Sequence, residues 1–243
     1  RSEQCSAAVM RRIVVATRLI AAKSQLEDEE VPSDFGYLSG YKQVHMGMEH
    51  LQGYKPKPIA EQLDRLRELI PGLGSAAESV ADKPLPTGAE AYFAIPRWEI
   101  IAPTYGEALE KIFALIDKFS PDSLLNYRKD KLGPEYLCEF EPSGAMWKRI
   151  CKEQEGHDFL IIPAQFGMRH RGRSFRRARE VMVAGEFGLG AFAVASMLLT
   201  HPERLRDYDD LWIECPGDEY APDADGRFVA VPFFFHYRGE IEF

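Results

Sequence analysis

The 243-residue chain has little cysteine, no long hydrophobic run and no familiar catalytic motif. The four cysteines are widely spaced and form no C-x-x-C pair, which argues against a zinc knuckle and a disulfide-rich secreted module. They are Cys5, Cys138, Cys151 and Cys215, and we expect reduced thiols. The longest apolar run, Phe187 to Leu199, is shorter than the roughly 20 residues that cross a bilayer. We therefore expect a cytoplasmic protein without membrane spans.

Catalytic signatures are also missing. The sequence contains no G-x-S-x-G elbow, no Walker loop and no H-E-x-x-H pair. The glycines between Gly185 and Gly190 lack the lysine of a phosphate-binding loop, so they favour close packing of a helix instead. The histidines are isolated from one another, which is typical of structural or surface positions. These absences favour a binding protein over an enzyme.

Composition allows a globular fold and limits its partners. The chain is 45% hydrophobic and 28% charged, and it is long enough to bury a core without a disulfide or metal. Its net charge of −8 disfavours a protein whose whole surface binds nucleic acid, but it permits a local basic site. Because the chain begins at Arg1, we expect it to be a trimmed version of a longer protein.

The order of predicted elements is mixed and has no regular βαβ rhythm. It predicts an α+β protein, with packed helices on a mixed or antiparallel sheet and a helical N-terminal part. We expect one domain over 1–243. The alternative is a division into a helical part at 1–70, a proline- and glycine-rich linker or loop at 71–89, and an α/β part at 90–243.

Local signals place the elements. A helix from Thr104 is the most specific prediction, because Thr104 and Glu107 form a capping box ahead of an apolar stripe. Thr200 and Glu203 form a second such pattern. The other predicted helices cover 6–24, 58–70 and 145–154, followed by a long interrupted helical region after the arginines. The predicted strands cover 91–102 with a break at Pro96, 135–140, 158–164, 211–214 and 227–243; the stretch 34–57 is expected to be irregular.

The most specific feature is an arginine cluster at 168–179, where the eleven residues from Arg169 to Arg179 include six arginines in an otherwise acidic chain. A guanidinium matches the oxygens of phosphate or carboxylate, and Phe166 and Phe175 could stack on bases or support the arginines. A helix beginning near Ser174 would join the arginines of the turn to those of its first turns in one positive surface. The candidate phosphate-binding residues are Arg169, His170, Arg171, Arg173, Arg176, Arg177 and Arg179.

Three interpretations of the cluster stay open. The arginines could pair with the chain's own carboxylates, bind phosphates of nucleic acid or a nucleotide, or dock on an acidic protein partner. We adopt phosphate binding as the functional hypothesis.

The competing hypothesis is a metal-assisted hydrolase of a phosphorylated substrate. The acidic segment 207–225 would hold Mg²⁺ or Ca²⁺ while the arginines hold the phosphate. Its candidate ligands are Asp218, Glu219, Asp223 and Asp225. A turn without metal is the simpler interpretation, because Asp and Gly are good turn residues and the segment lacks a complete calcium-loop pattern.

The stretch from Asp158 to Tyr220, with its segments DFLIIPAQFGMRHRGRSFRRARE and DDLWIECPGDEY, resembles bacterial proteins of no assigned function. The resemblance implies a bacterial, cytoplasmic origin. It implies no ligand, activity or catalytic residue.

Overall fold

The computed structural model describes residues 54–171, 173–208 and 210–243. These divide into two compact units, residues 54–171 with 187–243 and residues 173–186. The predicted helix at 6–24 and most of the irregular stretch 34–57 lie outside the described residues. The segment 71–89 lies inside the larger unit, where Gly74 and Ser75 donate their N–H groups to the Asp158 carboxylate.

The larger unit contains five α-helices and eight strands among its described residues, and the α+β class is confirmed. The helices are α1 (Ile59–Leu69), α2 (Trp98–Ile101), α3 (Tyr105–Phe119), α4 (Glu141–Glu153) and, after the smaller unit's α5 (Phe175–Val181), α6 (Ala191–Thr200). The strands are β1 (Ala91–Pro96), β2 (Ser123–Leu125), β3 (Leu137–Glu139), β4 (Phe159–Ala164), β5 (Ile213–Glu214), β6 (Asp218–Tyr220), β7 (Phe233–Tyr237) and β8 (Glu240–Glu242). Short 3₁₀ helices lie at Glu78–Asp82, Met168–His170 and Pro202–Arg204.

The strands form three small sheets. β1 and β4 make an antiparallel pair, with Ala91 opposite Ala164 and Pro96 opposite Phe159. β3 pairs antiparallel with β6. The third sheet has the order β2-β8-β7-β5; β2 runs parallel to β8 and the other pairings are antiparallel, so it is mixed.

Sequence signals explain the helix boundaries. Pro58 lies directly before α1, and Leu63, Leu66 and Leu69 are buried on one face. The predicted capping box of α3 is confirmed: the Thr104 hydroxyl accepts from the Glu107 N–H, and the Glu107 carboxylate accepts from the Thr104 N–H.

Helix α6 is the centre of the core. All ten of its residues are buried, as expected of a helix that is apolar on every side. It packs against α1, α3 and β1. No helix among the described residues is both long and apolar enough to cross a bilayer.

Glycines let two chain segments meet at the start of α6. A Cβ on Gly217 would lie 2.4 Å from the Gly188 oxygen and the Gly190 nitrogen, and one on Gly190 would lie 2.3 Å from an Asp218 oxygen. The predicted role of the Gly185 to Gly190 stretch in close packing is confirmed for Gly188 and Gly190. Their neighbour is the backbone at Pro216–Asp218.

Three local predictions are wrong. Residues 98–101 form the helical turn α2 rather than continuing β1, because Pro96 ends the ladder. Residues 218–220, expected in a loop, form β6. The second capping box is absent: the His201–Glu203 turn has no side-chain cap, because the Thr200 hydroxyl donates back to Met197 and the Glu203 carboxylate accepts from Lys57.

The backbone contact at Gly217 gives a direct stability test. We expect Gly217→Ala to lower the free energy of unfolding by about 2–3 kcal/mol, because the backbone atoms around the new methyl group cannot easily move aside. Gly74→Ala is the control, since nothing lies within 4 Å of its Cβ position; it should stay within about 1 kcal/mol of wild type. Urea unfolding measures both. Equal stability of the two variants would contradict the close contact.

Candidate nucleic-acid interface

The arginine turn, residues 167–171, follows directly from buried β4. Gly167 has a φ of 87°, a left-handed conformation that glycine adopts without strain, and it reverses the chain into the 3₁₀ helix Met168–His170. The Gln165 side-chain oxygen accepts from the Arg169 N–H at 3.2 Å. A rigid strand and a local hydrogen bond therefore fix the position of the turn.

Within the turn, the cations differ in exposure. Arg171 is exposed; among the described residues, its guanidinium makes one hydrogen bond, from Nη1 to the Met168 carbonyl at 3.3 Å. Arg169 is half-buried against the loop that precedes β1, where the absence of a side chain at Gly88 makes room for its guanidinium. His170 is half-buried. Arg171 is thus the residue that the turn presents to solvent.

The rest of the arginine cluster belongs to the smaller unit. Helix α5 begins directly after Ser174, where a helix start was expected, and the Ser174 hydroxyl caps it by accepting from the Arg177 N–H at 3.2 Å. Arg177 is buried and pairs with Glu180 at 2.9 Å, so internal pairing accounts for this member of the cluster. Arg173 is half-buried.

Phe175 organises two further arginines. The guanidinium of Arg176 lies 4.8 Å from the centre of the Phe175 ring, and that of Arg179 lies 5.4 Å from it. Arg176 is exposed and Arg179 is half-buried. The predicted support of guanidinium groups by Phe175 is confirmed.

A buried arginine, Arg204, which the sequence analysis missed, holds the residue that precedes the arginine turn. Arg204 is fully buried, and its Nη2 donates to the carbonyls of Phe166 at 2.8 Å and Leu211 at 3.1 Å. Its guanidinium also lies 5.7 Å from the centre of the Phe166 ring. One cation thus ties the residue before the turn to the strand segment that leads into β5.

Nearby acidic groups stabilise the positive charge of Arg204. Burial lowers its pKa, while Asp210, Tyr54 and Glu90 act in the opposite direction. Burial raises the pKa of Glu90, whose carboxylate accepts from the Tyr54 hydroxyl. Nε and Nη1 of Arg204 have no hydrogen-bond partner among the described residues.

His201 completes this core. Its ring lies 5.2 Å from that of Phe93 and 6.1 Å from that of Phe166. Nε2 accepts from the Lys57 N–H at 3.0 Å, which leaves Nδ1 to carry the proton and bond to Thr200 or Met197. Burial lowers the pKa of His201 to about 4. The predicted structural histidine is therefore a neutral core residue.

The four predicted metal ligands do not form a common site. Asp218 is fully buried and accepts from the Tyr105 hydroxyl at 2.9 Å and the Ala191 N–H at 2.7 Å. Asp225 pairs with Arg227 at 2.6 Å, and Glu219 and Asp223 lie on β6 and on the loop after it. In the described part of the chain, no three His, Cys, Asp or Glu side chains are placed to hold a metal. Cys138, Cys151 and Cys215 are free thiols.

Local sequence held few signals for the residues that matter most. Arg204 and His201 follow a fully apolar helix, and Tyr54, Glu90 and Phe166 come from other parts of the chain. A charged residue within one turn of such a helix is a weak signal of a buried partner. Only the fold shows which backbone oxygens it binds.

Because the pKa of His201 is lowered, we expect the free energy of unfolding to fall at acidic pH. Between its ordinary pKa of 6.5 and the folded value of about 4, the unfolded chain takes up a proton that the folded chain does not. Stability due to neutral His201 is thus present above pH 6.5 and is lost as the pH falls towards 4. Urea unfolding of wild type should show an extra loss of roughly 2 to 3 kcal/mol between pH 7.5 and 4.5, relative to His201→Gln. Equal losses in both proteins would show that His201 titrates normally.

Comparison with models of known protein families gives no match, and comparisons with curated proteins and with solved structures also give none. The function therefore has to be argued from the geometry of the site.

Proposed function

We propose that this protein is a non-enzymatic binding protein that contacts phosphates of nucleic acid or of a nucleotide through its arginine turn. The observation that carries the proposal is the position of Arg171. Its guanidinium is exposed at the tip of a turn held by β4, with one hydrogen bond to Met168 among the described residues. The other four of its five N–H groups have no hydrogen-bond partner among the residues that the structure describes, and we propose that they bind an oxyanion.

The chemistry of arginine favours phosphate as the ligand. The planar guanidinium matches two phosphate oxygens at once, and it keeps its charge at any physiological pH. Because the turn is already fixed by Gln165 and by the buried Arg204, little conformational entropy is lost when it binds. A preorganised cation supports selective binding of anions.

A second exposed cation follows closely in the sequence. Arg176 lies against the Phe175 ring, which restricts the motion of its guanidinium. In an acidic protein, each exposed arginine is a separate candidate for a phosphate contact, whereas the overall charge of −8 works against broad nonspecific adhesion. This combination favours few but defined phosphate contacts.

The proposal predicts a salt-dependent affinity that depends on the exposed arginines. Fluorescence anisotropy of a labelled 12-nucleotide oligomer should show binding at low salt that weakens as salt increases. Arg171→Glu and Arg176→Glu should each weaken binding and reduce the slope of log affinity against log salt by about one per lost phosphate contact.

Arg149→Glu serves as the matched control. Arg149 is an exposed arginine on α4 that pairs with Glu153, so its substitution makes the same charge change away from the turn. It should leave the slope unchanged. If all three variants lower affinity equally, binding reflects net charge alone. If wild type binds no oligomer or nucleotide at low salt, the turn's ligand is a different anion, such as an acidic protein surface.

A further inference from the structure

The outer face of β7 carries an aromatic column. Phe233, Phe235 and Tyr237 are half-buried and alternate with Phe234 and His236, which are buried. Successive side chains of a strand point to opposite faces, so the three half-buried rings share the face turned away from the core. Large aromatic rings are usually placed inward, which makes this column unusual for a purely structural strand.

Two more aromatic residues extend the column. The Trp212 indole is stacked on the Phe233 ring, with centroids 5.4 Å apart and planes 4° from parallel, and lies 4.9 Å from the Phe235 ring. Tyr208 is 61% exposed and lies 5.7 Å from the Tyr237 ring. We call Tyr208, Trp212, Phe233, Phe235 and Tyr237 the aromatic face.

The aromatic face adjoins the arginine turn. A Cβ on Gly167 would lie 3.9 Å from the Trp212 carbonyl oxygen. Arg204 bonds to the carbonyls of Phe166 and Leu211, the residues that precede Gly167 and Trp212. A single buried guanidinium thus holds the start of the cationic turn beside the start of the stacked rings.

Cations also lie at the other end of the aromatic face. The guanidinium of Arg238 lies 4.9 Å from the centre of the Tyr237 ring. The side chain of Arg206, two residues before Tyr208, is 53% exposed and pairs with the Asp122 carboxylate at 3.9 Å. The rings therefore lie between the arginine turn and the Arg238 guanidinium.

Carboxylates flank the rings and limit what can bind. Glu214 is paired with Phe233, Glu242 with Phe235 and Glu240 with Tyr237, and directly opposite residues of antiparallel strands share a face. Glu242 is buried and Glu240 accepts a hydrogen bond from Ser123, whereas Glu214 is exposed. Phosphates must keep away from these groups, so the negatively charged backbone of a ligand can approach only at the arginines. Neutral, flat groups can still reach the rings.

We propose that the aromatic face and the arginine turn form one binding site for single-stranded nucleic acid, in which unpaired bases stack on Trp212, Phe233 and Phe235 and the adjoining phosphate binds Arg171. This rests on the proposed phosphate-binding function and specifies its ligand. Every base has a π face, so such stacking tolerates any sequence. In a duplex the bases already stack on one another, so a duplex offers the rings no free base.

The test compares three probes built on one 12-nucleotide sequence: a fluorescein-labelled single-stranded 12-mer, a 12-mer with the bases removed, which has the same number of phosphates, and the duplex, which has twice as many. Wild type should bind the single strand at least about tenfold more tightly than the other two, since one stacked base alone contributes about that factor. Trp212→Leu should remove this advantage and leave the weaker affinities for the duplex and the base-free strand unchanged. Arg171→Glu should weaken the affinity for all three.

Removing a negative charge beside the rings tests independently whether the ligand is an anion or a cation. Desolvation raises the pKa of Glu214 to about 7, so at pH 8.5 the group is a carboxylate. At that pH, Glu214→Gln removes a negative charge beside Phe233 and should tighten binding of the single strand about two- to fivefold, through reduced repulsion of phosphate. A cationic ligand would lose affinity in the same variant. Tyr208→Ala changes an exposed ring with little effect on the core, so it tests the aromatic face even if Trp212→Leu fails to fold. It should weaken single-strand binding only.

The outcomes separate the two proposals. If duplex, base-free strand and single strand bind equally and all depend on Arg171, phosphate binding stands and base stacking is overturned. If Glu214→Gln weakens single-strand binding, the aromatic face does not accept nucleic acid. If none of the probes binds wild type at low salt, both proposals fail and the aromatic face becomes a candidate docking surface for a protein.

Discussion

The fold depends on satisfying both ends of a helix that is buried on every side. The first N–H groups and last carbonyls of any helix lack internal partners, and burial makes each unpaired group costly. At the start of α6, the Ala191 N–H donates to Asp218 and the Phe192 N–H donates to the Tyr105 hydroxyl at 3.2 Å. At its end, Lys57 donates to the Thr200 carbonyl at 2.6 Å. A carboxylate at the positive end and an ammonium at the negative end also complement the helix dipole.

These caps connect distant parts of the chain to the proposed site. Lys57 precedes α1, Tyr105 begins α3 and Asp218 begins β6, so α6 cannot form its ends until all three segments are in place. Directly after α6, His201 packs on Phe166 and Arg204 binds the Phe166 carbonyl. The position of the arginine turn therefore follows from the burial of α6. A turn held by the core can be exposed and still be rigid.

The sequence predicted what local chemistry determines. Pro58 and the leucines of α1, and the paired Thr104 and Glu107 of α3, gave correct helices because their signals lie within one or two turns. The buried strand β4 and the arginine turn after it were found for the same reason. In the candidate site, the density of arginines drew attention to residues 169–179, but it did not show that Arg171 is exposed and Arg177 is buried.

The wrong predictions concern residues whose partners lie far away in the sequence. Thr200 and Glu203 have the spacing of a capping box, yet the buried Thr200 hydroxyl bonds to Met197 and Glu203 binds Lys57, 146 residues away in sequence. Asp218 lies in an acidic segment, and its sequence therefore suggested a turn or a metal ligand. Gly217 instead lets the Asp218 carboxylate reach the start of α6, where it accepts from the Ala191 N–H. The aromatic column of β7 lies in the run FFFHY, which is visible in the sequence, whereas the alternation of buried and half-buried rings and the contact with Trp212 appear only in the structure.

The central claim is that bases and phosphates bind at adjoining parts of one surface built on this core. Photo-cross-linking of a 4-thiouridine-labelled single strand to the full chain, with peptide mapping by mass spectrometry, tests it most directly. The account predicts cross-links on the peptide that contains Trp212 and on the β7 peptide, competed by unlabelled single strand but not by duplex. Cross-links confined to other surfaces, such as α1 or α4, would contradict it.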